Sequence, residues 1–256
     1  MNGKDDNKMN DHAFEIHGAT RRGDWVVTCD HASNTVPPMI SGGCLGLPAS
    51  EMARHIAYDI GAAGLSRHLA DRLDAPAVLS RFSRLVIDPN RGEDDPTLLM
   101  QIYDGTIIPA NRGVDAAERA RRLDLFYRPY HGAVASVVTP RPVQAPLVAV
   151  HSFTPQLRGR APRPWHVGIL YSPRDTRFAL PLIERLRRET DLCIGDNEPY
   201  VGELAGDSVE RHALDHGRPN VLIELRHDLI ETEQDQHNWA ARLAPIFEET
   251  RAGLHL

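Results

Sequence analysis

Three short apolar runs in this chain each end in residues that bind metals or move protons. Trp25-Val26-Val27-Thr28-Cys29 leads into Asp30-His31, Leu147-Val148-Ala149-Val150 into His151-Ser152, and Val221-Leu222-Ile223 into Glu224-Leu225-Arg226. Runs of this length and composition read as buried strands of an α/β sheet. Ligands of such sheets bind beyond the carboxyl ends of the strands, so residues far apart in sequence meet in one crevice. Two imidazoles and a carboxylate meeting there form the layout of a hydrolytic zinc site. A catalytic zinc takes about three protein ligands and keeps one position open. His31 and His151 supply two. Asp59, near the start of the first helix, is the preferred third donor. Asn34 competes with it, as a weaker neutral amide. Taken alone, Asp59 reads equally well as a helix-terminal charge balanced by the dipole.

Glu224 stands inside an apolar strand, where an unpaired carboxylate is costly. A buried ion pair with Arg226 or Arg84 is the plain explanation. Residues 224 and 226 share one strand face, however, so a carboxylate and a guanidinium can reach the same crevice. A carboxylate beside activated water serves as general base. Asp88-Pro89-Asn90-Arg91 directly follows Leu85–Ile87. Arg91 can grip a substrate carboxylate through paired hydrogen bonds, with Asn90 adding a donor. The same four residues are also ordinary turn chemistry. Ser152 lacks a Gly-x-Ser-x-Gly elbow, which argues against a serine hydrolase.

The elements that must carry these residues alternate between strand and helix. Ser50 is a candidate cap for a helix whose buried face is Met52, Ile56, Ala63, Leu65 and Leu69. Ala77–Ser80, Leu85–Ile87 and Val167–Tyr171 read as strands. A long helix is expected from about Asp115 to Val138, kinked or divided at Pro129. Phe178–Arg188 and Asn238–Leu254 are amphipathic, and Arg158–Pro164 is a basic, proline-rich loop. The alternation predicts a three-layer α/β/α domain with a central mixed sheet, spanning residues 21–256 after a disordered leader at 1–20.

Composition narrows the partners. A net charge of −6 over 256 residues argues against nucleic acid. No apolar stretch is long enough to span a membrane. Cys29, Cys44 and Cys193 are widely spaced and form neither a disulfide framework nor a thiolate metal site. The polar segment Met1–Asp11 has no hydrophobic core, so the expected location is the cytoplasm. Oligomeric state is not legible.

Several segments together carry a resemblance. These are Cys29-Asp30-His31-Ala32-Ser33-Asn34, Tyr58-Asp59-Ile60-Gly61-Ala62, Ser83-Arg84-Leu85-Val86-Ile87-Asp88-Pro89-Asn90-Arg91, Tyr127-Arg128-Pro129-Tyr130-His131, His151-Ser152-Phe153, Asp196-Asn197-Glu198-Pro199-Tyr200 and Leu222-Ile223-Glu224-Leu225-Arg226-His227-Asp228-Leu229-Ile230. In order and spacing they resemble the N-formylglutamate amidohydrolase family, especially its less characterised branch, over about residues 25–250. The family is similar in fold to zinc carboxypeptidases. The resemblance implies a central mixed sheet, metal-ligand histidines at His31 and His151, a substrate-carboxylate clamp at Asn90-Arg91 and a catalytic glutamate at Glu224. It further implies one Zn2+ (or another divalent ion) and a small anionic N-acyl amino acid as substrate, with N-formyl-L-glutamate first. Glu224 would relay the proton. Arg84 or Arg226 would help the metal stabilise the oxyanion. Asn197, Glu198 and Tyr200 would orient the substrate, although Glu198 serves equally to order its loop. Two departures stand out. Carboxypeptidases carry a Glu three residues after the first His, where this chain has Asn34. Better-known formylglutamate enzymes carry an Asp-Ala-His-Ser run, where this chain has Ala149-Val150-His151-Ser152. A metal-free binding module on the same fold and an amidase or peptidase for another N-acyl substrate are the alternatives.

Overall fold

The computed structural model describes residues 12–254. Seven strands make the central sheet: β1 (Phe14–His17), β2 (Val26–Cys29), β3 (Ala77–Ser80), β6 (Leu147–Phe153), β7 (Val167–Leu170), β8 (Ile194–Asp196) and β9 (Asn220–Arg226). A separate hairpin pairs β4 (Ile102–Tyr103) with β5 (Thr106–Ile107). The sheet order is β1-β3-β2-β6-β9-β7-β8. The four neighbours β3, β2, β6 and β9 run parallel, while β1 and β7 join them antiparallel and β8 runs parallel to β7. This is the expected mixed sheet.

Helices cover both faces. Val27, Cys29, Val148, Val150, Val221 and Ile223 pack against the helices Ala62–Arg72, Ala179–Leu186 and Glu233–Ala252. The alternate residues Val26, Leu147, Ala149 and Leu222 pack under the helical segment 116–138. β6 is buried at all seven positions, and β9 at six of its seven, so neither shows polar alternation. The last helix begins at a capping box: Thr232 accepts from the Asp235 backbone N–H and Asp235 accepts from Thr232. Among the described residues, no helix is long and apolar enough to cross a membrane.

Several expectations are corrected here. Phe14–His17 is not disordered leader but an edge strand, paired residue by residue with Ser80 to Ala77. Residues 1–11 of the expected leader lie outside the described residues. β1 and β8 both sit at sheet edges and are only partly buried, so they need less apolar sequence than a central strand.

Leu85–Ile87 is not a strand. All three residues are buried, but the chain turns there: the Val86 N–H donates to the Ser83 carbonyl at 2.8 Å and the Leu85 N–H to Ser83 Oγ at 3.2 Å. Side chains replace the missing sheet partner. Asn111 Nδ2 donates to the Leu85 carbonyl at 2.8 Å and Arg122 Nη1 to the Val86 carbonyl at 2.9 Å. That satisfies backbone groups which burial would otherwise leave orphaned.

The expected first helix is two. Ala49–Met52 is one turn, and Pro48, not Ser50, stands at its N-cap. The helix Ala62–Arg72 starts after Gly61, which adopts φ 78°. The long helix is divided as Pro129 requires. Helical turns Ala116–Arg122 and Arg128–Val138 flank a π-type segment, Leu123–Tyr127. A proline ring clashes with the carbonyl four residues back and cannot donate to it, and the wider turn relieves both problems.

Gly61 is the tightest of these joints. A Cβ there would lie 2.1 Å from the Ile230 carbonyl oxygen, besides the unfavourable positive φ. Gly61→Ala should therefore destabilise the protein by at least about 2 kcal/mol, read as a lower urea midpoint. A midpoint within error of the parent would show that this joint relaxes freely.

Candidate metal centre

The parallel strands bring the predicted residues to one end of the sheet. His31 lies two residues past the end of β2, after Asp30, and His151 lies within β6. Cα register places His151 beside Glu224 on β9. Asp59 occupies the break before the Gly61 joint. Its N–H donates to the His31 carbonyl at 2.9 Å, and its own carbonyl accepts from the Ala62 N–H at 3.2 Å. The backbone thus fixes the carboxylate against the first imidazole.

The side chains converge. Asp59 Oδ2 lies 2.8 Å from His151 Nδ1 and 3.3 Å from His31 Nδ1. One donor atom from each of His31, Asp59 and His151 lies within 4.8 Å of the others, and all three residues are buried. Asn34 is no part of this group: it is exposed and donates to the Met52 carbonyl at 3.0 Å.

The far nitrogen of each ring faces another carboxylate. His31 Nε2 is 2.7 Å from Asp88 Oδ1, and His151 Nε2 is 3.4 Å from Asp30 Oδ2. These partners are fixed in turn. Asp88 accepts from Arg84 Nη2 at 2.9 Å and from the Asn90 N–H at 2.9 Å. Asp30 accepts from Tyr130 Oη at 2.5 Å and Ser208 Oγ at 3.1 Å. Outer carboxylates of this kind set the tautomer and direction of a ligating imidazole. Beneath them, His131 Nδ1 and His212 Nε2 pair at 2.9 Å, a packing role for both.

The electrostatics fit a cation. Asp30, Asp59, Asp88 and Glu224 are all buried here, while Arg84 is the one buried guanidinium paired among them. Burial opposes the ionised form of Asp59, but the two imidazoles outweigh it and hold its carboxyl far below the usual range. Asp30 is similarly drawn down to about 2, against burial, by His151, His31 and Tyr130. Burial would lower the His151 value, yet its bonds to Asp30 and Asp59 push it well above the ordinary imidazole value. Glu224 is pushed up to about 8 by burial, and its Oε2 has no hydrogen-bond partner among the described residues. Two imidazole nitrogens and a carboxylate oxygen, with surplus buried carboxylate around them, suit a divalent ion that accepts N and O ligands.

A sequence profile of the N-formylglutamate amidohydrolase family matches residues 23–231. The chain belongs to that family. Among solved structures it is similar to the gene product Atu2144 from Agrobacterium tumefaciens, with 33% identity and a TM-score of 0.90, covering 97% of this chain and 98% of that one. An N-formylglutamate amidohydrolase from Ralstonia eutropha JMP134 shares the fold at 23% identity and TM-score 0.65, over 94% of this chain and 99% of that one. No curated protein matches significantly.

In this member of the N-formylglutamate amidohydrolase family, a cavity of about 220 Å3 opens over the triad. Its wall includes Glu224, Arg84, Asn90, Arg91 and Tyr200 among the expected residues. Arg84 reaches Asp59 Oδ1 at 3.5 Å as well as Asp88. Asn90 Oδ1 accepts from the Ser208 N–H at 3.3 Å, and its Nδ2 has no acceptor among the described residues. Arg91 Nη1 donates to the Asn90 carbonyl and Nε to Thr97, and no carboxylate pairs with it among the described residues.

Other expected residues stand elsewhere. Arg226 shares strand parity with Glu224 but turns to Asp228, at 2.8 Å, and is not in the cavity wall. Asn197 Oδ1 accepts from the N–H groups of Tyr171 and Gly202, so it shapes the loop. Glu198 presents its backbone: a Cβ on Gly168 would lie 2.2 Å from its carbonyl oxygen. Ser152 does line the cavity, but its Oγ donates to the Ile60 carbonyl at 2.8 Å, as a structural hydroxyl. Sequence reading assigned no site role to Asp30 or Asp88 as partners of the imidazoles, nor to His55, Tyr103 and Asp207 in the wall. Adjacency of Asp30 to His31 was the available signal; the others depend on loop folding.

Two outcomes follow from the carboxylates. Asp88→Asn should weaken divalent-metal affinity about 10- to 100-fold, measured by chelator competition; unchanged affinity would remove Asp88 from the metal's support. The second concerns pH. The unfolded chain loses the Glu224 proton near 4.5, the folded one near 8. Stability from this group is therefore complete below pH 4.5 and is lost as pH rises through 8. Metal-free Glu224→Gln should lose less stability than the metal-free parent between pH 5 and 8 in urea titrations. Parallel slopes would contradict burial as the cause.

Proposed function

We propose that this protein hydrolyses the amide bond of an N-formyl amino acid, N-formyl-L-glutamate first, using one zinc or similar divalent ion held by His31, Asp59 and His151. The observation that carries this reading is the meeting of two imidazole Nδ1 atoms on the Asp59 carboxylate, in a cavity that also holds Glu224. Family membership supports the reaction type.

A divalent ion bound there supplies Lewis acidity to a carbonyl oxygen and to water, and its charge favours ionised Glu224. The chain's own residues supply the rest. Arg91 and the Nδ2 of Asn90 hold the substrate carboxylate and aim the formyl carbon inward. Glu224 accepts a proton as water oxygen adds to that carbon. The Arg84 guanidinium, fixed by Asp88, lends positive charge beside the developing oxyanion. Glu224 then gives its proton to the amide nitrogen as the C–N bond breaks, releasing formate and the free amino acid. Glu224 is only 6% exposed, which limits exchange of its proton with bulk water. The same reading places the reaction in the cytoplasm, where thiols such as the exposed Cys44 stay reduced.

Metal-reconstituted protein should release formate from N-formyl-L-glutamate faster than it deacylates N-acetyl amino acids, and chelation should stop the reaction. Glu224→Gln should lower kcat by at least about 100-fold with metal content unchanged by elemental analysis. Near-parental turnover in that variant would sink the proton-relay role. Undiminished turnover after complete metal removal would sink the metal reading.

A further inference from the structure

The Arg158–Pro164 loop contributes one side chain that the mechanism above does not use. Arg163 Nη1 donates to the Thr154 carbonyl at 3.1 Å and to Tyr200 Oη at 3.1 Å. Its guanidinium lies over the Tyr200 ring at 4.9 Å and the Phe153 ring at 5.7 Å. Thr154, Tyr200 and Phe153 all form cavity wall, and Arg163 packs against them without itself lining the cavity. Among the described residues no carboxylate pairs with Arg163, and its Nε and Nη2 have no protein acceptor. By contrast Arg158, in the same loop, is paired with Glu51 at 3.2 Å.

We propose that Arg163 reads the distal, side-chain carboxylate of an acidic N-acyl amino acid, while Arg91 reads the α-carboxylate. The assignment rests on the function proposed above and names a specificity residue for it. Position supports it. β6 carries His151 at the triad and continues outward through Phe153 to Thr154, the two residues that seat Arg163. At about 3.3 Å per strand residue, this seat lies roughly 7 to 10 Å beyond His151. A formyl carbon and a γ-carboxyl carbon are separated by five bonds of about 1.5 Å, a span of roughly 6 Å. A guanidinium reaching back from that seat meets a carboxylate at that span. An open Nε and Nη2 form the fork that binds a carboxylate bidentately. The bonds to the Thr154 carbonyl and Tyr200 Oη, with the Tyr200 ring beneath, hold the guanidinium in place and offset part of the entropy lost on binding.

The test compares N-formyl-L-glutamate with its isosteric neutral counterpart, N-formyl-L-glutamine. The parent should prefer the acid at least about 10-fold in kcat/KM, as one charge-assisted pair allows. Arg163→Met should reduce that ratio to near one, through a higher KM for the acid. The glutamine compound should change little, and Arg163→Lys should restore part of the preference. An unchanged ratio in Arg163→Met, or an equal loss on both substrates, would overturn the assignment. Calorimetric binding of glutarate and its monoamide to the same proteins separates this result from the reaction itself. If the parent hydrolyses neither formyl compound, the proposed reaction fails. Arg163 is then judged on binding alone: a diacid preference lost in Arg163→Met supports it, and a preference absent in the parent or kept in the variant overturns it.

Discussion

A carboxylate buried between two imidazoles is the constraint around which this molecule is arranged. Asp59 is almost without solvent contact, and burial alone would drive it neutral. It stays ionised because His31 and His151 approach within 3.3 and 2.8 Å. Those rings are themselves held by Asp88 and Asp30, which Arg84 and Tyr130 hold in turn. Most polar groups in this shell are held by the next one out, while Asp30 Oδ2, His151 Nε2 and Glu224 Oε2 have no hydrogen-bond partner among the described residues. A half-satisfied shell of this kind would be worse than an apolar core. The excess of negative charge that remains is the property a divalent ion needs, so the same arrangement that burdens the metal-free fold prepares it for a cation.

The fold supplies the geometry through three independent joints. Parallel pairing of β6 with β9 sets His151 beside Glu224 by register, and a slip of one residue would turn Glu224 to the opposite face. The Gly61 joint lets the chain reverse against the Ile230 carbonyl and leaves Asp59 at the sheet end. The buried turn at Leu85–Ile87 delivers Asp88, Asn90 and Arg91 together, with Asn111 and Arg122 supplying the hydrogen bonds a neighbouring strand would have made.

Central strands were legible from sequence because full burial leaves an unbroken apolar run, as in Leu147–Val150 and Val221–Ile223. Edge strands were not. Phe14–His17 is half-covered and reads as part of a disordered leader, and Ile194–Asp196 is too short to carry a pattern. Leu85–Ile87 misled in the other direction. Its apolar character reports burial, and burial is shared by strands and by well-bonded turns. The metal candidates were legible because His31 and His151 end such runs. Asp88 was visible only as turn chemistry, since what makes it an imidazole partner is the turn's path across the sheet end.

The two arginines beside Glu224 show where pattern stops and structure begins. Strand alternation correctly puts residues 224 and 226 on one face, and from sequence either Arg84 or Arg226 can serve the reaction. Parity fixes a side, however, and not a destination. Arg226 lies at the end of β9, where Asp228 two residues on offers a closer partner and the carbonyls of Arg163 and Trp165 lie 3.5 Å away. A long side chain follows its best local partner. Arg84 has no such exit. It is buried, lies over Tyr103 at 5.3 Å, and is drawn to Asp59 and Asp88. Withdrawing its charge would leave both carboxylates less compensated in a dry site. Its place beside the triad is therefore set by the charge the triad must carry, and the oxyanion role proposed for it would draw on the same position.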